Sequence, residues 1–205
     1  MLIIGLTGSI GMGKSTAAAR FRALGIPVFD ADAEVHRLYA GPLAARIEAA
    51  FPGTTANGAV DRAKLSQSLM KNPAGFKKLE QIVHPAVREE ERRFLDTAKA
   101  AGAAIAVLEI PLLLEAKSDE QVDVVVVVSA GPEVQRGRVL ERPGMTTEKL
   151  ETLLARQMPD AEKRERADFV VDTSGSIAAC NSQIDRIVAT LQGREGTAIN
   201  RVWKL

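Results

Sequence analysis

Residues 8–15 read Gly8-Ser9-Ile10-Gly11-Met12-Gly13-Lys14-Ser15, and they directly follow the apolar run Leu2-Ile3-Ile4-Gly5-Leu6-Thr7. A strand that leads into G-x-x-x-x-G-K-[ST] is the pattern of a phosphate-binding loop. Its glycines carry no Cβ, so the backbone can adopt positive φ and approach phosphate oxygens closely. The loop amides and the N-terminus of the following helix then form an anion site. The chain is therefore predicted to bind a triphosphate.

The motif also assigns chemistry to individual side chains. Lys14 is predicted to reach the β- and γ-phosphates, and the Ser15 hydroxyl is predicted to ligate Mg²⁺. The alternative is a glycine-rich strand-to-helix turn with an exposed lysine. The apolar strand before the loop and the helical pattern at 16–24 both argue against that alternative. The predicted nucleotide-binding residues of the loop are Gly11, Met12, Gly13, Lys14, Ser15 and Thr16.

Composition narrows the class of protein further. The 205 residues suit one domain, or one domain with an insertion, and 46% of them are apolar. The 27 basic and 26 acidic residues nearly cancel, and only 4% of residues are aromatic, so nucleic acid is not the expected partner. Cys180 is the only cysteine, which excludes an internal disulfide and predicts a buried, inert thiol.

The start of the chain shows no basic leader followed by a long apolar stretch, so no signal peptide is expected. The apolar runs are also shorter than the ~20 residues of a membrane-spanning helix. The sequence therefore predicts a soluble, cytoplasmic protein without a membrane partner.

Apolar runs alternate with amphipathic stretches, which is typical of an α/β fold with a parallel sheet covered by helices. Strands are predicted at about 2–7, 26–29, 104–110, 123–128 and 168–172. Helices are predicted at about 14–24, 32–40, 42–50, 61–71, 74–82, 86–101, 132–142, 147–157, 160–166 and 176–192. The second and third strands are separated by a long helical stretch that includes a Pro/Gly-rich break at 51–58, which indicates an inserted helical subdomain. The tail at 199–205 is expected at the surface, with Trp203 packed back onto the body.

Two acidic residues follow the second predicted strand, in Val28-Phe29-Asp30-Ala31-Asp32. Alternate residues of an extended chain share a side, and ligands of open α/β sheets bind beyond the carboxyl ends of the strands. One carboxylate would accept a proton from an attacking hydroxyl, and the other would hold Mg²⁺ through water or orient the acceptor. The alternative is that Asp30 caps the helix that starts near Asp32.

Glu109 ends the third predicted strand, close to the phosphate loop. A carboxylate there is typical of a Walker B acid, which holds Mg²⁺ directly or through water. The alternative is an ordinary charge at a strand end.

Arg138 and Arg142 lie four residues apart in a predicted helix and would share a face. We favour Arg138 as a lid residue that closes over the triphosphate, while a solvated basic helix face is the alternative.

Taken in order, these motifs resemble the dephospho-CoA kinase family. The resemblance rests on Gly8 to Thr16, Asp30-Ala31-Asp32, His84-Pro85 and Pro111-Leu112-Leu113-Leu114-Glu115, and Arg138, Gln157 and Ala167-Asp168-Phe169-Val170-Val171 extend it. It covers the chain from Leu2 to about residue 192. The phosphate loop alone indicates only a nucleotide, whereas the aspartate pair and the Pro111–Glu115 block are more specific to this family.

The resemblance implies a three-layer P-loop kinase fold in a single domain, residues 1–205, with a five-stranded parallel sheet. It implies a helical CoA-binding subdomain at about 33–101 and a mobile lid at about 132–160. The implied activity is transfer of the γ-phosphate of ATP to the 3′-hydroxyl of dephospho-CoA, with Mg²⁺, as the last step of coenzyme A biosynthesis. ATP and dephospho-CoA are then the expected partners of a monomer or weak homo-oligomer.

The resemblance also implies roles for single residues. Asp32 would be the base that acts on the 3′-hydroxyl, and Lys14 and Arg138 would stabilise the transferring phosphoryl group. The metal would be held by Ser15 and Glu109. Although His84 by itself indicates only a contact at a helix start, the family pattern places it near the acceptor. The acceptor-binding residues would be Thr7, Asp30, Asp32, His84, Pro111, Leu112 and Glu115.

The chain departs from the family pattern at three positions. The family usually has an aspartate where Pro143 follows Arg142, an arginine where this chain has Leu153, and an asparagine where it has Thr173. These positions are expected in the lid and in the loop on the adenine side. They are therefore expected to affect nucleotide affinity and base discrimination.

Three other functions fit parts of the sequence. Another small-molecule kinase of the same architecture would act on a nucleoside, a nucleotide or a shikimate-like alcohol. A GTP-dependent switch would use Asp172-Thr173-Ser174-Gly175 as D-x-x-G, but that motif follows the fifth strand and the chain has no N-K-x-D. A non-catalytic nucleotide-binding protein would not need both Lys14 and the aspartate pair.

Overall fold

The computed structural model describes residues 1–72 and 74–205. Its strands are β1 (Leu2–Thr7), β2 (Val28–Asp30), β3 (Thr55–Ala56), β4 (Ala59–Val60), β5 (Ile105–Glu109), β6 (Val124–Ser129) and β7 (Phe169–Asp172). Its α-helices are α1 (Lys14–Ala23), α2 (Ala31–Tyr39), α3 (Ala44–Ala50), α4 (Arg62–Lys71), α5 (Gly75–Ala100), α6 (Pro132–Leu140), α7 (Thr147–Leu154), α8 (Asp160–Glu165), α9 (Ile177–Leu191) and α10 (Ala198–Arg201). A short 3₁₀ helix covers Asp119–Gln121.

The predicted five-stranded parallel sheet flanked by helices is confirmed. Its strand order is β2-β5-β1-β6-β7, and β1 pairs in parallel with both β5 and β6. All six residues of β1 are buried. Because the strand order reverses around β1, the loop that follows it opens into the crevice where open α/β sheets bind ligands.

One face of the sheet carries a core built from the sheet and two helices. Phe21 of α1 and Ile184 of α9 are fully buried against it. Arg20 of α1 and Asp185 of α9 form two hydrogen bonds of 2.7 Å across the same pair of helices. This packing fixes the direction of α1, and with it the position of the phosphate loop at its start.

The C-terminal segment lies at the amino ends of the inner strands β1 and β6. Asp123 accepts hydrogen bonds from the backbone N–H groups of Ile3 (2.8 Å), Thr197 (2.7 Å) and Ala198 (2.8 Å). Trp203 is buried and donates its indole N–H to the carbonyl of Gln121 at 2.8 Å. Trp203 therefore packs back as predicted, while the short helix α10 was not predicted.

The described residues divide into two compact units. One comprises Met1–Phe29 and Leu95–Leu205, and the other comprises Asp30–Phe94. The residue range of the second unit overlaps that of the predicted helical insertion, about 33–101. The small core of this unit contains Leu38, Leu43, Ile47, Phe51, Leu65, Leu69 and Val83.

The Pro/Gly-rich break of the second unit is a hairpin, which the sequence interpretation missed. Strands β3 and β4 pair antiparallel around Asn57 (φ 52°) and Gly58 (φ 77°). Asn-Gly is the preferred pair for a turn with two positive φ angles. The Glu48 carboxylate accepts hydrogen bonds from the backbone N–H groups of Gly53 and Thr55, and these bonds lower its pKa.

The predicted helices 74–82 and 86–101 are wrong as separate elements, because α5 runs unbroken through Pro85. Proline removes one backbone donor and costs about 3 kcal/mol inside a helix. Apolar residues pack against the core on both sides of it, with Ile82 before and Ala86 after. Burial of this continuous apolar face outweighs the cost of the proline. His84 therefore lies within a helix and not at its start.

None of the helices in residues 1–72 and 74–205 has both the length and the apolar character that a membrane crossing requires.

Glu91 of α5 generates a prediction about stability and pH. It is only 5% exposed, and burial raises its pKa from 4.5 to about 7, although the charge of Arg88 opposes the rise. Between these two pH values the folded state keeps a proton that the unfolded state has lost. The free energy of unfolding should therefore fall as pH rises through this window, by up to about 3 kcal/mol, and level off above it.

The substitution Glu91→Gln should remove this component, so that the variant gains on the wild type as pH rises. Urea unfolding at a series of pH values from 4.5 to 8 measures the difference. Glu80→Gln, an exposed position of the same helix, is the matched control. Parallel curves for the wild type and Glu91→Gln would contradict the prediction.

Candidate active site

The phosphate loop is held in a conformation that requires glycine at two positions. Gly11 has φ 77° and Gly13 has φ 82°, in the left-handed region. A Cβ built on Gly11 would lie 2.5 Å from Val139 Cγ2, and one on Gly13 would lie 3.0 Å from Thr173 Oγ1. Both the backbone angle and the available space therefore exclude side chains here.

The helix that follows the loop offers its N-terminus to an anion. Gly13 is the N-cap of α1, and no side chain caps the helix. The first turn of α1 also contains no acidic residue. Because the first N–H groups of a helix have no partner within the helix, this end is suited to bind phosphate.

Lys14 and Glu109 lie side by side at the carboxyl ends of the central strands. Lys14 Nζ is 3.5 Å from Glu109 Oε1, and Arg22 Nη2 is 3.7 Å from Glu109 Oε2. Glu109 is 4% exposed, so its charge is held between two cations in a largely buried place. The sequence placed Lys14 and Glu109 at one site, and the structure brings them together.

Thr173 joins the phosphate loop to the predicted lid arginine. Its hydroxyl donates to the Met12 carbonyl at 2.8 Å. Arg138 donates from Nη1 to the Thr173 hydroxyl at 3.2 Å and from Nη2 to the Thr173 carbonyl at 2.6 Å. Thr173, which was expected in the loop on the adenine side, is 5% exposed and packs against Gly13 of the phosphate loop.

The second predicted cation, Arg142, does not share a helical face with Arg138. Helix α6 ends at Leu140, so Arg142 lies beyond it in an exposed segment with Pro143 and Gly144. A proline at 143 disfavours helical geometry at the preceding residue, which explains why the helix stops before the predicted end at 142.

The Pro111–Glu115 block splits into exposed and buried parts. The carbonyl of Pro111 accepts a 3.0 Å hydrogen bond from the hydroxyl of Thr7, which is itself fully buried. Leu112 is 45% exposed, whereas Leu113 and Leu114 belong to the core.

Glu115 is occupied by contacts within the protein. Its Oε1 is 2.7 Å from Lys163 Nζ and accepts a 2.9 Å hydrogen bond from the Met158 N–H. Lys163 is fully buried. Glu115 thus neutralises a buried lysine, and any contribution to acceptor binding has to come through this contact or from its other oxygen.

The remaining predicted acceptor residues belong to the second unit. Asp30 is the N-cap of α2 and accepts a 3.0 Å hydrogen bond from the Ala33 N–H, so the capping alternative is confirmed. Asp32 lies in the first turn of α2 and is exposed, which corrects the extended geometry assumed for this pair. His84 is exposed in the middle of α5.

The oxygen ligands near the loop fit Mg²⁺ that arrives with a nucleotide. Ser15, in the first turn of α1, has an exposed hydroxyl-bearing side chain, and Glu109 supplies a carboxylate beside Lys14. Within the described part of the chain, no group of three or more His, Cys, Asp or Glu side chains could hold a metal. Mg²⁺ typically takes one or two protein oxygens, waters and substrate phosphates, and it does not need such a group.

Sequence reasoning missed the polar side chains that brace the loop from outside. Gln135 Nε2 donates to the Ile10 carbonyl at 2.8 Å, and Gln157 Oε1 accepts from the Ile10 N–H at 3.1 Å. The Ala130 N–H also donates to the sulfur of Met12 at 3.0 Å. The available signal for Gln135 was its position four residues before Val139, which puts it on the buried face of α6.

The fold and the site together define a P-loop kinase. The family model described as dephospho-CoA kinase (CoaE) matches residues 2–179. The chain belongs to the dephospho-CoA kinase family.

Full-length similarity supports this assignment. The dephospho-CoA kinase of Rhodopseudomonas palustris (strain HaA2) is 57% identical over 188 residues, which cover 92% of this chain and 94% of that protein. That of Brucella melitensis biotype 1 is 56% identical over 198 residues, which cover 97% and 99%. Among solved structures, TT1252 from Thermus thermophilus matches with a TM-score of 0.81 and 34% identity, over 94% of this chain and 98% of that one.

The bracing by Thr173 generates a prediction. Thr173→Val keeps the shape of the side chain but removes the hydroxyl that serves both Met12 and Arg138. Loss of these bonds should lower the free energy of unfolding by about 1–2 kcal/mol. It should also weaken Mg·ATP binding about tenfold, because the loop is less well ordered. Calorimetric titration with Mg·ATP measures the change. Thr173→Ser retains the hydroxyl and should stay close to the wild type, whereas equal affinity of the valine variant would refute the role.

Proposed function

We propose that this chain transfers the γ-phosphate of ATP to the 3′-hydroxyl of dephospho-CoA, giving CoA and ADP. The observation that carries the proposal is the complete phosphate loop, which ends on the uncapped N-terminus of α1, in a chain that matches its family over residues 2–179. Dephospho-CoA kinase is also the name of relatives that align with nearly their full length. The last step of coenzyme A biosynthesis is the corresponding cellular role.

The nucleotide side of the reaction is assigned to the first unit. The loop segment from Gly11 to Thr16 and the positive end of α1 bind the triphosphate. Lys14, which lies 3.5 Å from Glu109, turns to the β- and γ-phosphates when they are bound. Arg138 neutralises charge on the transferring group, and its two bonds to Thr173 keep it beside the loop until then.

Ser15 and Glu109 are the residues that would hold Mg²⁺, Glu109 directly or through water. Bound Mg²⁺ neutralises the charge of the phosphates during transfer. Glu109 also lowers the cost of keeping Lys14 and Arg22 close to each other when no phosphate is present, since its carboxylate lies between them.

The acceptor side is assigned chiefly to the second unit. Asp32 takes the proton of the 3′-hydroxyl while the oxygen of that hydroxyl attacks the γ-phosphorus of ATP, and ADP leaves. Its exposure in the first turn of α2 leaves the carboxylate open to a ligand. Asp30 is used as a helix cap, so its contribution to acceptor binding is to hold the start of α2 in place.

Other acceptor contacts come from surfaces that the structure leaves open. Leu112 and His84 are both exposed, and Pro111 is fixed through its carbonyl by Thr7. Glu115 acts through its contact with Lys163. The unit Asp30–Phe94 forms the CoA-binding subdomain, and residues at about 132–160 form the lid.

The proposal includes the setting of the reaction. The enzyme acts in the cytoplasm on two small-molecule substrates, as a monomer or weak homo-oligomer, and neither nucleic acid nor a membrane takes part. The near balance of 27 basic and 26 acidic residues supports the absence of a nucleic-acid partner.

A coupled ADP-release assay with ATP, Mg²⁺ and dephospho-CoA tests the proposed reaction. Dephospho-CoA should be used far better than a panel of nucleosides, nucleotides and shikimate. Lys14→Ala should lower turnover by roughly 10²-fold or more, because the γ-phosphate loses its nearest cation, while Arg22 still partners Glu109 and preserves the fold. Lys99→Ala, an exposed position of α5, is the control. Near-normal turnover of Lys14→Ala would remove Lys14 from the mechanism.

Asp32→Asn and Asp30→Asn form a matched pair that tests the base. Asp32→Asn should lower kcat roughly 10²–10⁴-fold with little change in KM for ATP, because the amide cannot accept the proton. Asp30→Asn should have a much smaller effect, since asparagine caps a helix as well as aspartate does. Initial rates with both substrates varied give both constants. A reversed order of the two effects would transfer the role of base to Asp30.

A further inference from the structure

Two glutamines hold the two successive peptide groups of the phosphate loop that flank the Cα of Ile10. The Ile10 carbonyl accepts from Gln135 Nε2 at 2.8 Å, and the Ile10 N–H donates to Gln157 Oε1 at 3.1 Å. We name these two hydrogen bonds the Ile10 clamp. The roles assigned above to nucleotide, metal and acceptor binding use neither glutamine.

The clamp sets the direction of the neighbouring amides. A trans peptide is planar, so its C=O and N–H point in opposite directions. Fixing the Ile10 carbonyl towards Gln135 therefore turns the Gly11 N–H away from α6. Fixing the Ile10 N–H towards Gln157 likewise turns the Ser9 carbonyl to the other side, where it accepts a 3.1 Å hydrogen bond from the Met12 N–H.

Gln135 acts from a rigid support. It is 7% exposed on α6, and Val139, one turn further along, packs against Gly11 of the loop. The Gln135 backbone N–H donates to the Gly131 carbonyl at 3.0 Å, in the first turn of the helix. Its side-chain amide therefore reaches the loop from a fixed position.

Gln157 is supported from the other side of the predicted lid. The next residue, Met158, donates its N–H to Glu115, which in turn contacts the fully buried Lys163. Asp160 accepts a 2.7 Å hydrogen bond from the Ser129 hydroxyl at the end of β6. The chain is thus fixed directly after Gln157, and the clamp connects the loop to both sides of the segment 141–156.

We infer that Gln135 and Gln157 are positioning residues for phosphoryl transfer. They orient the loop amides for the triphosphate before the nucleotide arrives, so that ordering the glycine-rich loop does not have to be offset by binding energy. This inference rests on the proposed function only in its kinetic consequence. The orientation of the two peptide groups that flank Ile10 and the affinity for Mg·ATP are measurable without an acceptor.

Glutamine-to-glutamate substitutions separate the two halves of the clamp. Gln157→Glu retains an oxygen that accepts from the Ile10 N–H, whereas Gln135→Glu loses the N–H that donates to the Ile10 carbonyl. Both add the same negative charge near the loop, so each is the control for the other. Gln157→Ala and Gln135→Ala remove the contacts without adding charge.

Amide exchange of Ile10, followed by NMR on the full-length, ligand-free protein, reports the Gln157 contact directly. Exchange should be roughly tenfold faster in Gln157→Ala, and Gln157→Glu should restore protection. Mg·ATP titrated by calorimetry should bind about tenfold more weakly to Gln157→Ala, and more weakly to Gln135→Glu than to Gln157→Glu. In turnover assays KM for ATP should rise while KM for dephospho-CoA stays unchanged.

Three results would overturn the inference. The first is unchanged exchange of the Ile10 amide in Gln157→Ala, and the second is equal Mg·ATP affinity of the two glutamate variants. The third is a lower free energy of unfolding of the alanine variants without any change in their affinity for Mg·ATP. Should the buried Gln135 variants not fold, the half-buried Gln157 series decides alone through its exchange rates and affinities. A chain that passes these tests but does not turn over dephospho-CoA would refute the proposed acceptor and leave the clamp standing.

Discussion

The phosphate loop depends on close contact between its backbone and the elements beneath it. Gly11 packs on Val139, Gly13 packs on Thr173, and both glycines hold φ values near 80°. In a free glycine-rich chain such angles are only one possibility among many, and ordering them costs entropy. Here the neighbouring side chains leave little room for other conformations, so the fold has already met that cost before a ligand binds.

Parallel strands supply the rest of this bracing because their carboxyl ends share one edge of the sheet. The residues at or just after the ends of β1, β5, β6 and β7 are polar and buried: Thr7, Glu109, Ser129 and Thr173. Each of the four has a hydrogen-bond or ion-pair partner near the site, and in the same order these partners include Pro111, Lys14, Asp160 and Met12. A buried polar group is costly unless it is paired, so these residues fix the geometry of the edge as firmly as an apolar core does.

The sequence predicted the main elements because its signals there are strong. The apolar runs around β1 and β6 and the glycine motif left few alternatives, and the predicted sheet is the observed one. The sequence did not predict contacts between residues far apart in the chain. Thr173 meets Met12 across a separation of 161 residues, and no local pattern encodes that pairing. Pro85 misled the interpretation because a local rule was overruled by burial on both sides of the helix.

The roles of single residues were likewise predictable where the signal is local and not where it depends on distant contacts. Lys14 was assigned from a motif whose chemistry is local, and the structure places it beside Glu109 as expected. Glu115 was assigned from the family pattern, yet its charge is engaged by Lys163, a residue that reads as a surface lysine in the sequence. A charged side chain that turns inward cannot be recognised from hydropathy, since only its distant partner makes the burial tolerable.

Asp123 has a consequence for how the protein unfolds. One carboxylate gathers backbone donors from Ile3, at the start of the central strand, and from Thr197 and Ala198. If the C-terminal segment detached, this carboxylate would lose two of its three backbone donors and keep only the one from Ile3. The segment should therefore not fray by itself in the way that terminal residues commonly do. Its detachment and the loosening of the innermost strand become parts of a single cooperative event.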